Sequence, residues 1–214
     1  MPDPSRRLSE ADAIFLPMGA AVGGEMAPLS VEVLEGPLDP AAAAHQRELQ
    51  ARLLPAMRRR IVRDRFSTAL PRWVDVAGAQ PEDNWMELDP PGDGTLRAVL
   101  DWTARWARLP FPEDRSPWRC VRFDGVDVDG VPRTVIVSQV HHALIDGGGA
   151  RRMVEHLLRF DPDAPLAPMP PLPEPEEITA WDRWKEGWAV EGRKVRASAK
   201  TTGARLRWAA REPG

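Results

Sequence analysis

Two strand-like runs meet at an aspartate-glycine pair: WRCVRFDGV, residues 118–126, and VPRTVIVSQV, residues 131–140, are joined through DVDG. Asp129-Gly130 supplies the positive φ angles that a two-residue hairpin demands, and the flanking runs are rich in the β-branched and aromatic residues that suit a pleated surface. An antiparallel pair is therefore expected at 118–140. Its second strand runs straight into HHALIDGGG, residues 141–149.

The rest of the chain alternates helical and extended patterns. LSEADAIFLPMG carries a capping signal at Ser9 and apolar Ala13, Ile14 and Phe15, which predicts a short helix stopped by Pro17 and Gly19. PLSVEVLEG alternates as Leu29, Val31 and Val33, a strand with one buried face. From Asp39 to about Arg65, an N-cap aspartate, Pro40 and a spacing of four through Leu49, Leu53, Met57 and Ile61 predict an amphipathic helix, bent or ended near Pro55. RFSTALPRWVDV and NWMELDPP suggest short strands. TLRAVLDWTARWARLPF returns to helical spacing through Leu96, Val99, Leu100 and Leu109, and GARRMVEHLLRF sets Met153 over Leu157 and Val154 over Leu158. The expected class is α/β, a mixed sheet flanked by helices.

Three segments follow from composition: a folded domain over 1–160, a proline-crowded stretch at 161–177 that is expected to be an extended linker or wrapping arm, and a tail at 178–214. From Trp181 onward nine Lys or Arg stand against four Asp or Glu, although the whole chain carries a formal charge of -3. Such asymmetry suggests an interacting tail. Trp181, Trp184, Trp188 and Val195 would form one stripe on a helix, beside basic side chains. That stripe is expected to pack on the protein's own core or on a second domain, or to lie in a membrane or lipid-droplet surface. Glycines 187, 192 and 203 interrupt it and no nucleic-acid module is present, so nucleic acid is not an expected partner.

One cysteine, Cys120, excludes an internal disulfide and a multi-cysteine metal cluster and fits a reducing cytoplasm; lying within a strand, it is expected to pack. No apolar run approaches the roughly 18 residues of a membrane span. The candidate for chemistry is the pair of adjacent histidines, two of only four in the chain. On an extended backbone His141 and His142 point to opposite faces, so one is chemical and the other supports it, or neither is chemical. A histidine at a strand end suits general-base work because its ordinary pKa lies near neutrality. Asp146 can fix its tautomer, or fold back on glycines 147–149 and pair with an arginine elsewhere; the second role is favoured. Adjacent histidines on opposite faces chelate poorly, so no metal is expected, and DGGGA lacks the spacing and lysine of a phosphate loop.

HHALIDG resembles the HHxxxDG signature of the CoA-dependent acyltransferases, which include chloramphenicol acetyltransferase, peptide-synthetase condensation domains and the bacterial wax ester synthase/diacylglycerol acyltransferases. LSEADAIFL is similar to the start of the last family, and RLPFPEDRSPWRCVRFDGV resembles its proline-rich segment and Trp-containing strand, with Phe111 and Pro112 standing where leucine and aspartate are usual. The resemblance covers roughly residues 8–160. It implies half of a chloramphenicol acetyltransferase-like fold, with a second, similar domain after the linker and the active-site tunnel between the two.

By the same resemblance His142 is the general base, His141 its supporting neighbour, and Asp146 and Gly147 hold the loop. The implied reaction moves a fatty acyl group from acyl-CoA to a diacylglycerol or long-chain alcohol, with no bound cofactor and acyl-CoA as co-substrate. The expected partners are acyl-CoA, the lipid alcohol, and a second-half chain or another copy of this one. The alternatives are a condensation or acetyl-transfer relative using the same histidine, and a catalytically silent acyl-CoA- or partner-binding half-domain.

Overall fold

The computed structural model describes residues 7–22, 27–35, 39–63 and 70–144, and parts of 167–192. Its centre is the expected hairpin. Strands β5 (Trp118–Val128) and β6 (Val131–Val140) pair antiparallel, and Asp129 (φ 55°) and Gly130 (φ 81°) turn the corner while Gly130 N–H donates to Asp127 Oδ1 at 2.7 Å. Two positive φ values in succession match the right-handed twist of the flanking strands.

Strand β1 (Leu29–Leu34) adds antiparallel to β6, and β4 (Trp85–Leu88) adds parallel to β5, giving a mixed sheet in the order β1-β6-β5-β4. A parallel neighbour requires a crossover, and helix α3 (Leu96–Trp106) supplies it. Thr95 caps this helix by accepting from Ala98 N–H. Its inward residues are Val99, Thr103 and Trp106, so Leu100 and Leu109, expected on the apolar face, are exposed instead. Tryptophans at 102 and 106 outweigh the leucines in choosing the buried side. Val99 and Trp106 close over Val121, Phe123, Val126, Val135 and Val137.

Only Val31 of β1 reaches this core. Leu29 and Val33 are each 42% exposed, because β1 is an edge strand beyond the reach of α3.

The opposite face of the sheet carries Trp85 and Trp118. Near it lies α2 (Pro40–Leu53), capped as expected by Asp39, whose carboxylate accepts from Ala41 and Ala42 N–H. The helix ends before Pro55, since proline offers no N–H and disfavours a helical residue before it. A short 3-10 turn follows at Pro55–Arg58, then β2 (Arg59–Val62), so Ile61 belongs to a strand and not to the long helix its spacing suggested. Trp118 Nε1 donates to Met57 O at 3.0 Å, and Arg47 lies 4.4 Å over the Trp85 ring. Strand β2 pairs antiparallel with β3 (Arg72–Asp75).

Helix α1 (Glu10–Val22) continues through Pro17, past the expected stop. Proline's fixed φ is itself helical, so Pro17 removes one hydrogen bond without forcing an end. Ala13 and Leu16 hold α1 against a small cluster of Leu8, Trp73 and Ala143. The expected helix at 149–160 lies outside the described residues. Of the proline-rich stretch, residues 167–172 and 174–175 are in neither helix nor strand, and they lie along α2: His45 Nε2 is 2.8 Å from Ala167 O, and Arg52 donates to Pro170 O at 2.7 Å.

Candidate active site

Strand β6 delivers the histidine pair, but it ends at Val140. His142–Leu144 form a short 3-10 turn, so it is this turn, rather than the pleat of a strand, that sends the two rings in different directions.

His141 goes inward and is 2% exposed. Its N–H donates to Pro117 O at 2.9 Å, its carbonyl accepts from Leu144 N–H at 2.9 Å, and its Nδ1 accepts from Ala143 N–H at 3.1 Å. An Nδ1 that accepts carries no hydrogen, which assigns the ring hydrogen of the neutral form to Nε2. The edge of this ring meets Phe111 at 6.2 Å between centroids.

Phe111 has a second neighbour. Arg119 sits 4.9 Å from Phe111 and 4.3 Å from Trp106. This buried guanidinium donates to Gln139 Oε1 at 2.6 and 2.9 Å and to the carbonyls of Trp106 and Leu109 at 3.0 and 2.7 Å. Carbonyl dipoles and two aromatic faces thus replace water around the cation. The phenylalanine at 111, where leucine is usual in the resembling segment, acquires a structural reason: a flat ring serves both Arg119 and His141.

His142 goes outward and is half-buried. Its ring stacks on Phe15 of α1, centroids 3.9 Å apart and planes 14° from parallel. Nδ1 is buried and has no hydrogen-bond partner among the described residues, which leaves Nε2 as the accessible nitrogen. Such an edge can exchange a proton with a ligand, whereas the sealed ring of His141 cannot.

Arg72 is fully buried at the start of β3, and the next residue, Trp73, packs on Ala143 of this turn. Asp146 and Gly147 lie outside the described residues. Among the described residues no three histidine, cysteine or carboxylate side chains come together as metal ligands. Cys120 lies 2.9 Å from Ser138 Oγ on the sheet, and burial pushes its thiol up to about 11, so it is a neutral packing group at neutral pH.

Phe15, Arg72, Arg119 and Gln139 were not singled out from the sequence. Arg119 and Gln139 did leave a signal there, as polar residues in step with the inward valines of β5 and β6; Phe15 and Arg72 left none, because their neighbours are distant in the chain.

A cleft of about 120 Å³ lies between the proline-rich arm and β2–β3, bordered by Arg58, Arg59, Asp75, Leu172 and Glu174. It includes neither histidine, and it is small beside the roughly 300–1,000 Å³ usual for ligand pockets.

The chain matches the family model of the wax ester synthase/diacylglycerol acyltransferase catalytic domain over residues 8–211. Candidate diacylglycerol O-acyltransferases of Mycobacterium tuberculosis are similar to it: one is 28% identical over 74% of this chain and 32% of its own length, another 28% identical over 86% and 39%. The chain thus spans between about a third and two-fifths of these relatives. Among solved structures, the wax ester synthase/diacylglycerol acyltransferase of Marinobacter aquaeolei VT8 superposes with a TM-score of 0.56 at 22% identity, covering 77% of this chain and 41% of that one. The first condensation domain of the calcium-dependent antibiotic synthetase gives 0.54 at 21% identity, covering 70% and 35%. The fold is the chloramphenicol acetyltransferase-like one expected from the sequence.

Proposed function

Because this chain belongs to the wax ester synthase/diacylglycerol acyltransferase family, we propose that it provides the general base of an acyl-CoA-dependent O-acyltransferase, with His142 as that base. The observation that carries the reading is the division between the two rings: His141 is sealed and accepts a backbone N–H, while His142 presents Nε2 at the end of the hairpin.

In this reading Nε2 of His142 takes the hydroxyl proton of a long-chain alcohol or a diacylglycerol. The alkoxide adds to the thioester carbonyl of acyl-CoA, the tetrahedral oxyanion collapses with cleavage of the C–S bond, and the CoA thiolate recovers the proton from the imidazolium. Ester and free CoA result. No acyl-enzyme and no resident cofactor is required.

Asp146 and Gly147 would shape the loop beyond the turn. The acyl tunnel needs walls beyond the described residues, from the remainder of a longer chain, from a second-half chain or from another copy.

The tail supports a peripheral contact with a membrane or lipid-droplet surface. Trp181, Trp184 and Trp188 are 61, 46 and 61% exposed, and Lys185 lies beside Trp181. No helix among the described residues is long and apolar enough to cross a membrane.

The test is release of CoA thiol by the protein given palmitoyl-CoA with dioleoylglycerol or hexadecanol, beside His142→Ala. Release that requires the acceptor and falls about 10²–10⁴-fold in the variant is expected. Two equally silent proteins would overturn activity of the chain alone and favour a silent half-domain. Turnover with an amine acceptor but neither alcohol would instead favour a condensation-type reaction.

A further inference from the structure

We propose that Phe15 is a positioning residue for His142: its ring, stacked at 3.9 Å and 14°, sets the plane in which the imidazole must lie to present Nε2. The proposal rests on the general-base reading above and adds to it a residue 127 positions away in the chain.

Among the described residues the imidazole has no hydrogen-bonded partner to orient it. A catalytic histidine is ordinarily held by a hydrogen bond to the nitrogen that does not react, yet Nδ1 of His142 is buried without such a partner among the described residues. The Phe15 stack is the aromatic contact that takes its place. A flat ring against a flat ring resists tilting, because any tilt brings one edge into overlap and opens a gap at the other, losing dispersion contact on both sides.

Such a contact is useful only if its base is fixed, and α1 is fixed. Ser9 caps its first turn, exchanging hydrogen bonds with Asp12 at 2.6 and 3.0 Å. Just before it, Leu8 N–H donates to Pro71 O at 2.9 Å and Arg7 donates to Leu70 O at 2.5 Å, tying the segment to the approach to β3. Ala13 and Leu16, either side of Phe15, pack on the cluster that contains Ala143. Both rings are therefore mounted on the same small cluster, one by α1 and one by the turn after β6.

Phe15→Leu keeps an apolar side chain of moderate size and removes the flat face; Phe15→Tyr keeps the face. In nuclear magnetic resonance spectra the ring protons of His142, identified by their loss in His142→Ala, are expected at the upfield positions that a stacked ring current produces. They should move downfield in Phe15→Leu and stay in Phe15→Tyr. In acyl transfer, Phe15→Leu should lower kcat about tenfold to a hundredfold with KM little changed, as for a misplaced catalytic group, and Phe15→Tyr should restore it.

Signals of His142 that stay in place in Phe15→Leu would overturn the stack. Signals that move while kcat holds would overturn its role in positioning. If the unaltered protein shows no turnover, the fault lies with the acyl-transfer reading, and the spectra still decide the stack. Should Phe15→Leu not fold, a nuclear Overhauser effect between the Phe15 and His142 rings in the unaltered protein decides it, and its absence would refute the proposal.

Discussion

The two apolar clusters of this protein are built to different standards. Between α3 and the sheet, seven side chains from two strands and a helix are buried together, five of them from β5 and β6, whose pairing is local. Beneath the histidine turn only Leu8, Trp73 and Ala143 are buried, and they come from the start of the described chain, from β3 and from the turn itself. The first cluster makes a platform and the second makes a clamp. A platform keeps its shape through mutual burial, whereas a clamp of three residues holds only while distant segments stay in place, which is the kind of region that opens first.

The largest effect should come from the platform. Phe123→Ala removes a ring that is almost wholly buried and edge-on to Trp102 at 5.1 Å, and it should cost about 3–5 kcal/mol. Leu8→Ala, in the clamp, should fall at the lower end of the range for such truncations, about 2 kcal/mol, because fewer neighbours lose contact and the site can relax. Urea denaturation of the two variants measures both. Equal losses would break the distinction between platform and clamp.

The same contrast governs what could be read from the sequence. The hairpin was legible because its strands and its Asp129-Gly130 turn lie within 23 residues, and Asp39 and Pro55 marked the ends of α2 through local chemistry alone. The pair His141 and His142 stood out as a rare residue type at a strand end. The clamp was not legible. That Phe15 faces His142, or that Trp73 meets Ala143, depends on how α1 and β3 come to lie beside β6, and no spacing within any one segment encodes this. Spacing also misled where it crossed a local break. Ile61 continued the four-residue rhythm of α2 on the far side of Pro55, and Leu109 continued that of α3 beyond Trp106, yet both lie outside their helices.

The reverse face of the platform gives a second, smaller test. Burial, only partly offset by the hydrogen bond with Ser138, raises the Cys120 thiol from 9.0 to about 11. The folded protein keeps this proton where the unfolded chain has released it. The contribution is therefore complete below pH 9 and is lost as the pH rises towards 11, at up to about 1.4 kcal/mol per pH unit. Urea midpoints between pH 8.5 and 10.5 should fall more steeply in the unaltered protein than in Cys120→Ala. Equal slopes would mean that this face does not keep water from the Cys120 thiol.

The smallest effect belongs to the outer side of α3. Arg97 and Asp101 form an i,i+4 ion pair at 3.1 Å with side chains 82 and 51% exposed. The attraction between them is screened by water and salt, and holding two long side chains in one geometry costs rotamer freedom. Arg97→Ala should thus change stability by less than about 0.5 kcal/mol, and still less in high salt. On the inner side of the same helix Val99 and Trp106 are closed over by the platform. A loss at Arg97 comparable to that at Phe123 would mean that α3 is held to the sheet by its charges as much as by its buried face, and the packing account of the platform would need replacing.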